Sequence, residues 1–328
     1  MKVLVTGGTG YVAGWVIVEL LRRGYDVRAT VRSLDKSDAV RTAVATGIDP
    51  AERLTFAAAD LTGDEGWDEA VAGVDHVVHV ASPLSGDSLV PARDGTLRVL
   101  RAATKAGVKR VVMTSAANAA SPSSYAEEGV TDETLWTDPA DPALIPYRRA
   151  KTVAERAAWD FMAAYDGPTE LTTILPGAVF GPILSTGNLG SVRIVERLLT
   201  GKMPGTPRIG LEIVDVRDLA DLHVRAMLAP EAAGERFLGT GEFMWMSEMA
   251  QALGVHRRQL PDLLVRVIAL FDPQLRSITV SLGRRNRHST AKAKRILGWQ
   301  PRPAADTVVG CARSLVAWKV VPDTMATS

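Results

Sequence analysis

Short apolar runs alternate with longer amphipathic stretches through the first half of the chain. The runs have the length of β-strands, and the stretches between them, such as Tyr11–Arg23 and Thr96–Ala106, have helical spacing. Because parallel strands need long crossover connections, this alternation predicts a parallel sheet with helices on both faces. The predicted strands are Lys2–Thr6, Asp26–Val31, Leu54–Ala58, Asp75–Val80, Arg110–Thr114 and, after a long helix, Thr172–Leu175.

The regular alternation fades after about Pro182, where glycine and proline become frequent. We therefore predict an α/β protein whose Rossmann-type, doubly wound core spans residues 1–182, with returning segments near 211–230. Residues 183–328 are predicted to form mainly a smaller mixed α/β lobe that binds substrate, together with a C-terminal segment. Open α/β sheets bind ligands at the carboxyl ends of their strands, so we expect the lobe to cover that edge.

Charge and cysteine content limit the kinds of molecule and metal that we expect the protein to bind. The formal net charge is +1, and Cys311 is the only cysteine. We therefore expect no general affinity for nucleic acid or acidic membranes, no intrachain disulfide and no metal site. No stretch approaches the ~18 apolar residues that a membrane helix needs. These features predict a soluble protein of the cytoplasm that acts on a small molecule, as a monomer or a homodimer.

A glycine-rich segment follows the first predicted strand and opens the first helix. It reads Thr6-Gly7-Gly8-Thr9-Gly10-Tyr11-Val12-Ala13. Glycines permit a tight turn there and let backbone N–H groups approach a pyrophosphate at the positive end of a helix. This context predicts a dinucleotide site; the alternative is a turn that merely needs glycine. The candidate cofactor-binding residues are Thr6, Gly7, Thr9, Gly10, Tyr11 and Val12.

The end of the second strand indicates which dinucleotide is bound. NAD sites usually place an acidic residue there for the ribose 2′-hydroxyl, whereas a basic residue accommodates a 2′-phosphate. Here Arg32 follows Val31, and Lys36 lies close behind. The two cations predict NADP(H), unless Arg32 is simply a solvated surface residue.

Tyr147 and Lys151 stand four residues apart in a strongly helical stretch that extends to Tyr165. Residues at this spacing share one helix face, so the phenol and the ammonium can face the same cavity. A phenol has a pKa of about 10, and a nearby cation stabilises its phenolate. Such a group can protonate a carbonyl oxygen as hydride reaches the carbon. The pair is therefore the candidate catalytic acid and its partner.

Several motifs then occur in a specific order. They are the glycine loop at 6–13, Asp60-Leu61, Val77–Pro83, Gly95-Thr96, Val111–Ser115, the Tyr147/Lys151 pair, Leu175–Pro182 and Val214–Asp218. Together they resemble the extended short-chain dehydrogenase/reductases of the dihydroflavonol reductase and cinnamoyl-CoA reductase group. The resemblance covers residues 2 to about 230, and Ser289–Pro303 is similar to that family's C-terminal segment.

The resemblance implies a role for each matching position. Tyr147 would be the general acid, and Lys151 would bind the nicotinamide ribose and lower the tyrosine pKa. Asp60 and Leu61 would face the adenine. The residues implied nearer the nicotinamide half are Ala81, Ser82, Pro83, Thr114, Pro176 and Val179.

One position of the family pattern is not matched in this sequence, the second of two serines. Members of this group usually carry two serines after the fifth strand, the second of which polarises the substrate carbonyl. Here the segment reads Thr114-Ser115-Ala116-Ala117-Asn118, so alanine takes the second position. We expect Ser115 to serve instead; Thr114 or Asn118 could substitute, or the tyrosine could act nearly alone.

The function expected from these features is reduction of an aldehyde or ketone to an alcohol by NADPH. Leu144-Ile145-Pro146 precedes the tyrosine, where plant cinnamoyl-CoA reductases carry a different signature, so we do not expect thioester reduction. Two alternatives remain open. One is a nucleotide-sugar epimerase or dehydratase with tightly bound NAD, and the other is a non-catalytic NADP-sensing protein.

Overall fold

The computed structural model describes residues 1–83, 89–122, 129–142, 144–187, 189–203, 205–271 and 279–322. Its strands are β1 Lys2–Val5, β2 Asp26–Val31, β3 Leu54–Ala58, β4 His76–His79, β5 Arg110–Thr114, β6 Gly129–Thr131, β7 Glu170–Pro176, β8 Ala178–Phe180, β9 Gly210–Asp215, β10 Arg236–Gly239, β11 Phe243–Trp245 and β12 Asn286–His288. Its helices are α1 Tyr11–Arg22, α2 Ser37–Ala45, α3 Trp67–Val71, α4 Leu89–Lys105, α5 Pro146–Ala163, α6 Val192–Leu199, α7 Val216–Leu228, α8 Met246–Ala252, α9 Asp262–Ile268, α10 Ala291–Leu297 and α11 Ala304–Ala317.

The central sheet has seven strands in the order β10-β7-β5-β4-β1-β2-β3, and every neighbouring pair is parallel. Helices α1, α2 and α7 pack on one face, while α3, α4 and α5 pack on the other. The predicted Rossmann-type, doubly wound α/β fold is confirmed. The chain reverses its direction of winding between β1 and β4, which leaves a crevice at their carboxyl ends where such folds bind ligands.

Two local features differ from the sequence prediction. Helix α4 already covers Leu89, one to two turns before the predicted start at Thr96. Pro91 lies in the first turn of this helix, where proline is tolerated because the N–H it lacks has no partner there. The second feature is β10, a four-residue strand that pairs with β7 and was not predicted. It lies in the part of the chain where the periodic pattern had faded.

From Ala178 onwards the elements of the chain belong to two regions. Strands β8, β9 and β11 form a separate three-stranded sheet, and its apolar side packs with α6, α8 and α11 into a second core. Helix α7 instead returns to the central sheet, where it packs against α1. Strand β12 pairs in parallel with β6, so the C-terminal segment reaches back to the loop that follows β5. No helix of the described residues is long and apolar enough to cross a membrane.

Candidate functional site

The loop between β1 and α1 forms the tight turn that its glycines predict. Gly7 has a φ of +72°, and a Cβ there would lie 2.9 Å from the Cβ of Ala81 in the loop after β4. Only glycine combines this backbone conformation with this close approach. No side chain of the described residues caps the N-terminus of α1, where Gly10 is the N-cap, and the first turn of this helix holds no acidic residue. Its free N–H groups and positive dipole therefore fit a pyrophosphate.

The other predicted loop residues contribute in different ways. Thr9 is exposed at the tip of the loop, and Val12 is half-buried in the first turn of α1. The ring of Tyr11 packs against the second core, where burial raises the pKa of its hydroxyl well above the usual value. What Tyr11 can offer a phosphate is therefore its backbone N–H.

Arg32 and Asp60 lie near each other at the carboxyl ends of the adjacent strands β2 and β3. Hydrogen bonds from the backbone and hydroxyl of Thr62 lower the pKa of Asp60, and the charge of Arg32 lowers it further. Leu61 packs closely against Gly95 of α4. A Cβ added at Gly95 would lie only 2.7 Å from the Cβ of Leu61. The residues predicted for the adenosine half are thus brought to one edge of the sheet.

The two predicted cations differ in what surrounds them. Lys36 forms an ion pair with Asp35 at 3.3 Å, and both side chains are 61% exposed. Arg32 is also exposed, and it has no ion pair within the described parts of the chain. Arg32 is consequently the better candidate for a 2′-phosphate, since Asp35 partly offsets the charge of Lys36.

Thr6 ties the glycine loop to the loop after β4. Its Oγ1 accepts N–H bonds from Val80 at 3.1 Å and Ala81 at 3.0 Å, and it lies 2.8 Å from Nδ1 of His79. Because two donors already occupy the oxygen, its own hydrogen donates to Nδ1. Burial, followed by the charge of Lys151, lowers the pKa of His79 to about 3. His79 is therefore a neutral structural partner that fixes Ala81 beside Gly7.

Four further predicted residues lie in the loop after β4 and in strands β7 and β8. Ser82 and Pro83 continue the loop after β4 and are half-buried. Pro176 ends β7, and Val179 lies in β8. Contact of these four residues with a nicotinamide stays a prediction.

The candidate catalytic pair, Tyr147 and Lys151, lies on α5. Pro146 begins this helix, and Tyr147 follows with 42% of its side chain exposed, so the phenol can be reached from the cavity that it lines. Desolvation by the surrounding protein raises the pKa of Tyr147 above 10. One turn later Lys151 is buried, and its Nζ donates to the carbonyl oxygen of Thr114 at 3.3 Å. Burial lowers the pKa of Lys151 to about 8, whereas the charge of Glu155 acts in the opposite sense.

The cavity beside Tyr147 has a volume of about 370 Å³. It lies between the carboxyl end of β7, the loop after β5 and the C-terminal elements around β9 and β12. Apolar and polar groups face each other across it. The lining residues that bear on the chemistry are Ala116, Asn118, Ser121, Phe243, Asn286 and His288.

Ser115 does not belong to this cavity. It is not among the described residues that line the cavity, and its Oγ donates to Oε2 of Glu155 at 2.6 Å. Glu155 is fully buried and also accepts from Thr173 Oγ1 at 2.8 Å and from Arg236 Nε at 2.9 Å. This placement contradicts the expectation that Ser115 polarises a substrate carbonyl. Successive side chains of an extended chain point to opposite sides, so Ala116 takes the cavity side.

The hydroxyl of Thr114 is committed elsewhere as well. Nδ1 of His223 lies 2.8 Å from the carbonyl oxygen of Leu219, which can only accept, so this nitrogen carries the hydrogen. Burial lowers the pKa of His223 to about 4, so the ring is neutral. Nε2 therefore accepts from Thr114 Oγ1 at 2.8 Å. Only the backbone of Thr114 reaches the site, through Lys151.

One side-chain cluster at the cavity was not found from the sequence. Ser121 Oγ lies 2.8 Å from Nε2 of His288, and Nδ1 of His288 bonds Glu212. The side chains of His288 and Glu212 are 6% and 8% exposed. The two residues lie 76 positions apart, and His288 lies 167 positions from Ser121. No local spacing links them, so the sequence carried no signal for this cluster.

Comparison with known proteins identifies the family of this chain. A sequence model of the NAD-dependent epimerase/dehydratase family matches residues 3–238. Cinnamoyl-CoA reductase 1 of Petunia hybrida is 36% identical over 257 residues, which cover 76% of each chain. Ketoreductase azaE of Aspergillus niger is 36% identical over 291 residues, or 80% of this chain and 84% of the relative.

Solved structures agree with the sequence relatives. The NADPH complex of Gre2 from Candida albicans is 25% identical, has a TM-score of 0.81, and aligns over 97% of this chain and 99% of that one. The family match covers the glycine loop, the catalytic helix and the central sheet through β10. The chain therefore belongs to the NAD-dependent epimerase/dehydratase family, among the extended short-chain reductases of the dihydroflavonol reductase and cinnamoyl-CoA reductase group.

Proposed function

We propose that this NADP-dependent oxidoreductase reduces an aldehyde or ketone to an alcohol, with Tyr147 as the proton donor. The observation that carries the proposal is the placement of Tyr147 and Lys151 on one helix of a Rossmann-type fold. The phenol faces a cavity at the carboxyl edge of the sheet, and the glycine loop opens at the same edge. This edge is where a dinucleotide and its substrate meet in such folds.

NADPH supplies the hydride in this reaction. The hydroxyl of Tyr147 donates its proton to the carbonyl oxygen as negative charge develops there. Because its pKa is raised above 10, the group is a phenol at neutral pH and holds the proton that reduction requires. A group that stays protonated suits reduction better than the reverse oxidation, which needs the phenolate.

Lys151 supports the tyrosine from the next turn of the helix. At neutral pH a lysine with a pKa of about 8 is mostly an ammonium, and its one described acceptor is the carbonyl oxygen of Thr114. An ammonium has three donors, so hydrogens remain for the ribose hydroxyls of the cofactor. Its charge also favours the phenolate that remains after proton transfer.

Arg32 would supply the preference for NADPH over NADH. Its guanidinium stands at the end of β2, where a 2′-phosphate would lie, and no acidic residue occupies that position. Charge-assisted hydrogen bonds contribute about 1.5–3 kcal/mol each. One such contact corresponds to a preference of about ten- to a hundredfold.

The test is the initial rate of NADPH oxidation against a panel of aldehydes, α-ketoesters and aryl ketones. Tyr147→Phe should lose at least about a hundredfold in kcat, the usual contribution of a positioned acid. Tyr165→Phe is the matched control, because that hydroxyl contacts Thr169 just beyond α5, and its rate should stay near wild type.

Three results would contradict the proposal. Turnover that survives in Tyr147→Phe would remove the tyrosine from the mechanism. Nicotinamide that resists dialysis, without NADPH turnover, would favour the nucleotide-sugar epimerase or dehydratase. Binding of NADPH with no turnover of any carbonyl would favour the NADP-sensing protein.

A further inference from the structure

The cavity beside Tyr147 has an alanine at the position where the resemblance to the family implies a second serine. Ala116 lines the cavity there, and Ser115 is held by Glu155 behind the strand. Tyr147 is then the one assigned donor to the substrate oxygen. A second donor aimed at a developing oxyanion contributes about a hundredfold or more to kcat. Two lining residues that follow Ala116 in the same loop could donate instead, Asn118 through its amide and Ser121 through its hydroxyl.

Ser121 is the only one of these two whose side chain is anchored among the described residues. Ser121 is 2% exposed, and its Oγ lies 2.8 Å from Nε2 of His288 and 2.9 Å from the carbonyl oxygen of Ala117, two residues that also line the cavity. A carboxylate can only accept, so Nδ1 of His288 carries a hydrogen that it donates to Glu212. Glu212 also accepts from the backbone N–H of His288 at 2.7 Å. The ring is thereby fixed in position and in orientation.

The backbone that carries Ser121 is equally well held. Thr137 Oγ1 contacts the carbonyl oxygens of Asn118 and Ser121, each at 2.6 Å, and lies 3.2 Å from the N–H of Ser121. The fully buried Arg148, next to Tyr147 in α5, donates to the carbonyl oxygen of Pro122 at 3.0 Å. The loop of Ser121 and the helix of Tyr147 are therefore joined directly. A donor contributes most when such contacts fix it before the reaction.

We propose that Ser121 is the second hydrogen-bond donor to the substrate carbonyl oxygen, with His288 and Glu212 as its positioning residues. This inference rests on the proposed reductase function. In the free protein the single hydroxyl hydrogen of Ser121 serves a neutral acceptor, either the carbonyl oxygen of Ala117 or Nε2 of His288. The carbonyl oxygen of the substrate becomes a stronger acceptor as hydride arrives, so the hydroxyl rotates towards it. Ser121 keeps its proton; the proton that completes the alcohol comes from Tyr147.

A donor of this kind acts mainly in the transition state, so its loss should change kcat more than KM. A contact that strengthens as charge develops affects kcat, whereas a contact equally strong with bound substrate affects KM. Ser121→Ala should therefore lower kcat about a hundredfold and change KM by less than about threefold. His288→Ala and Glu212→Gln should each lower kcat about tenfold, because the donor remains but loses its orientation.

The decisive variant restores the missing serine. Ala116→Ser places a hydroxyl on the cavity side of the same loop, so it should recover at least about tenfold in kcat when added to Ser121→Ala. In the same background His288→Ala should cost less than about twofold, because the new donor does not depend on the imidazole. A purely structural role of His288 would give the same loss in both backgrounds. Ser289→Ala removes a neighbouring hydroxyl outside the cavity lining and should leave kcat unchanged.

The experiment measures NADPH oxidation with the best carbonyl of the panel, and NADPH binding by fluorescence to verify that each variant is folded. Wild-type kcat in Ser121→Ala would overturn the inference, as would a hundredfold loss in Asn118→Ala with Ser121→Ala near wild type. Hydrolysis of p-nitrophenyl acetate that Ser121→Ala abolishes, with reduction unaffected, would also overturn it by showing a nucleophilic serine. In each case turnover that still depends on Tyr147 would leave the reductase proposal intact.

Discussion

Replacing Lys151 by methionine should stabilise the protein at neutral pH while it removes activity. The ammonium of Lys151 is buried, and burial lowers its pKa from 10.5 to about 8. At about 1.4 kcal/mol for each tenfold change in affinity for the proton, this corresponds to about 3 kcal/mol of destabilisation when the group is charged. Methionine has a similar length and no charge to desolvate. Loss of the hydrogen bond to Thr114 offsets about 1 kcal/mol, which leaves a net gain of about 2 kcal/mol.

The pH dependence of this gain follows from the direction of the shift. Below pH 8 Lys151 is protonated in both the folded and the unfolded chain, so the folded chain carries the full cost. Between about pH 8 and 10.5 the folded chain releases the proton while the unfolded chain keeps it, so wild-type stability rises with pH. Above 10.5 both forms are neutral. The advantage of Lys151→Met should therefore shrink as pH rises through this window.

Urea unfolding of the cofactor-free protein at pH 7 and pH 9.5 measures this difference. Lys105→Met is the control, because this lysine of α4 is 71% exposed and pairs with an exposed Asp68; its effect should be at most about 0.5 kcal/mol at either pH. A wild type that is more stable than Lys151→Met at pH 7 would refute the reasoning. A stability difference that does not change with pH would show that charge burial is not its source.

Two further substitutions test the cofactor site and the corrected serine. Arg32→Ala should raise the Kd of NADPH about ten- to a hundredfold and change that of NADH little, whereas Lys36→Ala should cost less because Asp35 already pairs with it. Equal losses for the two cofactors, measured by fluorescence titration, would argue against a phosphate contact. Ser115→Ala should keep kcat within about twofold and lower the free energy of unfolding by about 1–3 kcal/mol, because a buried carboxylate loses a donor. A collapse of kcat without a change in unfolding would restore Ser115 to the mechanism.

The sequence by itself determined the fold class and the candidate residues for binding the cofactor. Apolar strands of four to seven residues alternate with amphipathic helices in the central sheet, and this alternation is a local property of the sequence that can be recognised without knowledge of the tertiary contacts. The glycine loop at 6–13 is equally local, since a positive φ at Gly7 and a helix beginning at Tyr11 are written in adjacent residues. The spacing of Tyr147 and Lys151 likewise fixed their common helix face.

Only the tertiary structure decided which side chains of the loop after β5 line the cavity. Ser115 and Ala116 are neighbours in the chain, yet one is buried against Glu155 and the other lines the cavity. The orientation depends on α5 and β7, which supply the carboxylate and a second donor. The cluster at Ser121 joins segments far apart in the chain, and β10 finds its place only through pairing with β7. Such contacts depend on how the chain packs in space, which no local pattern of residues encodes.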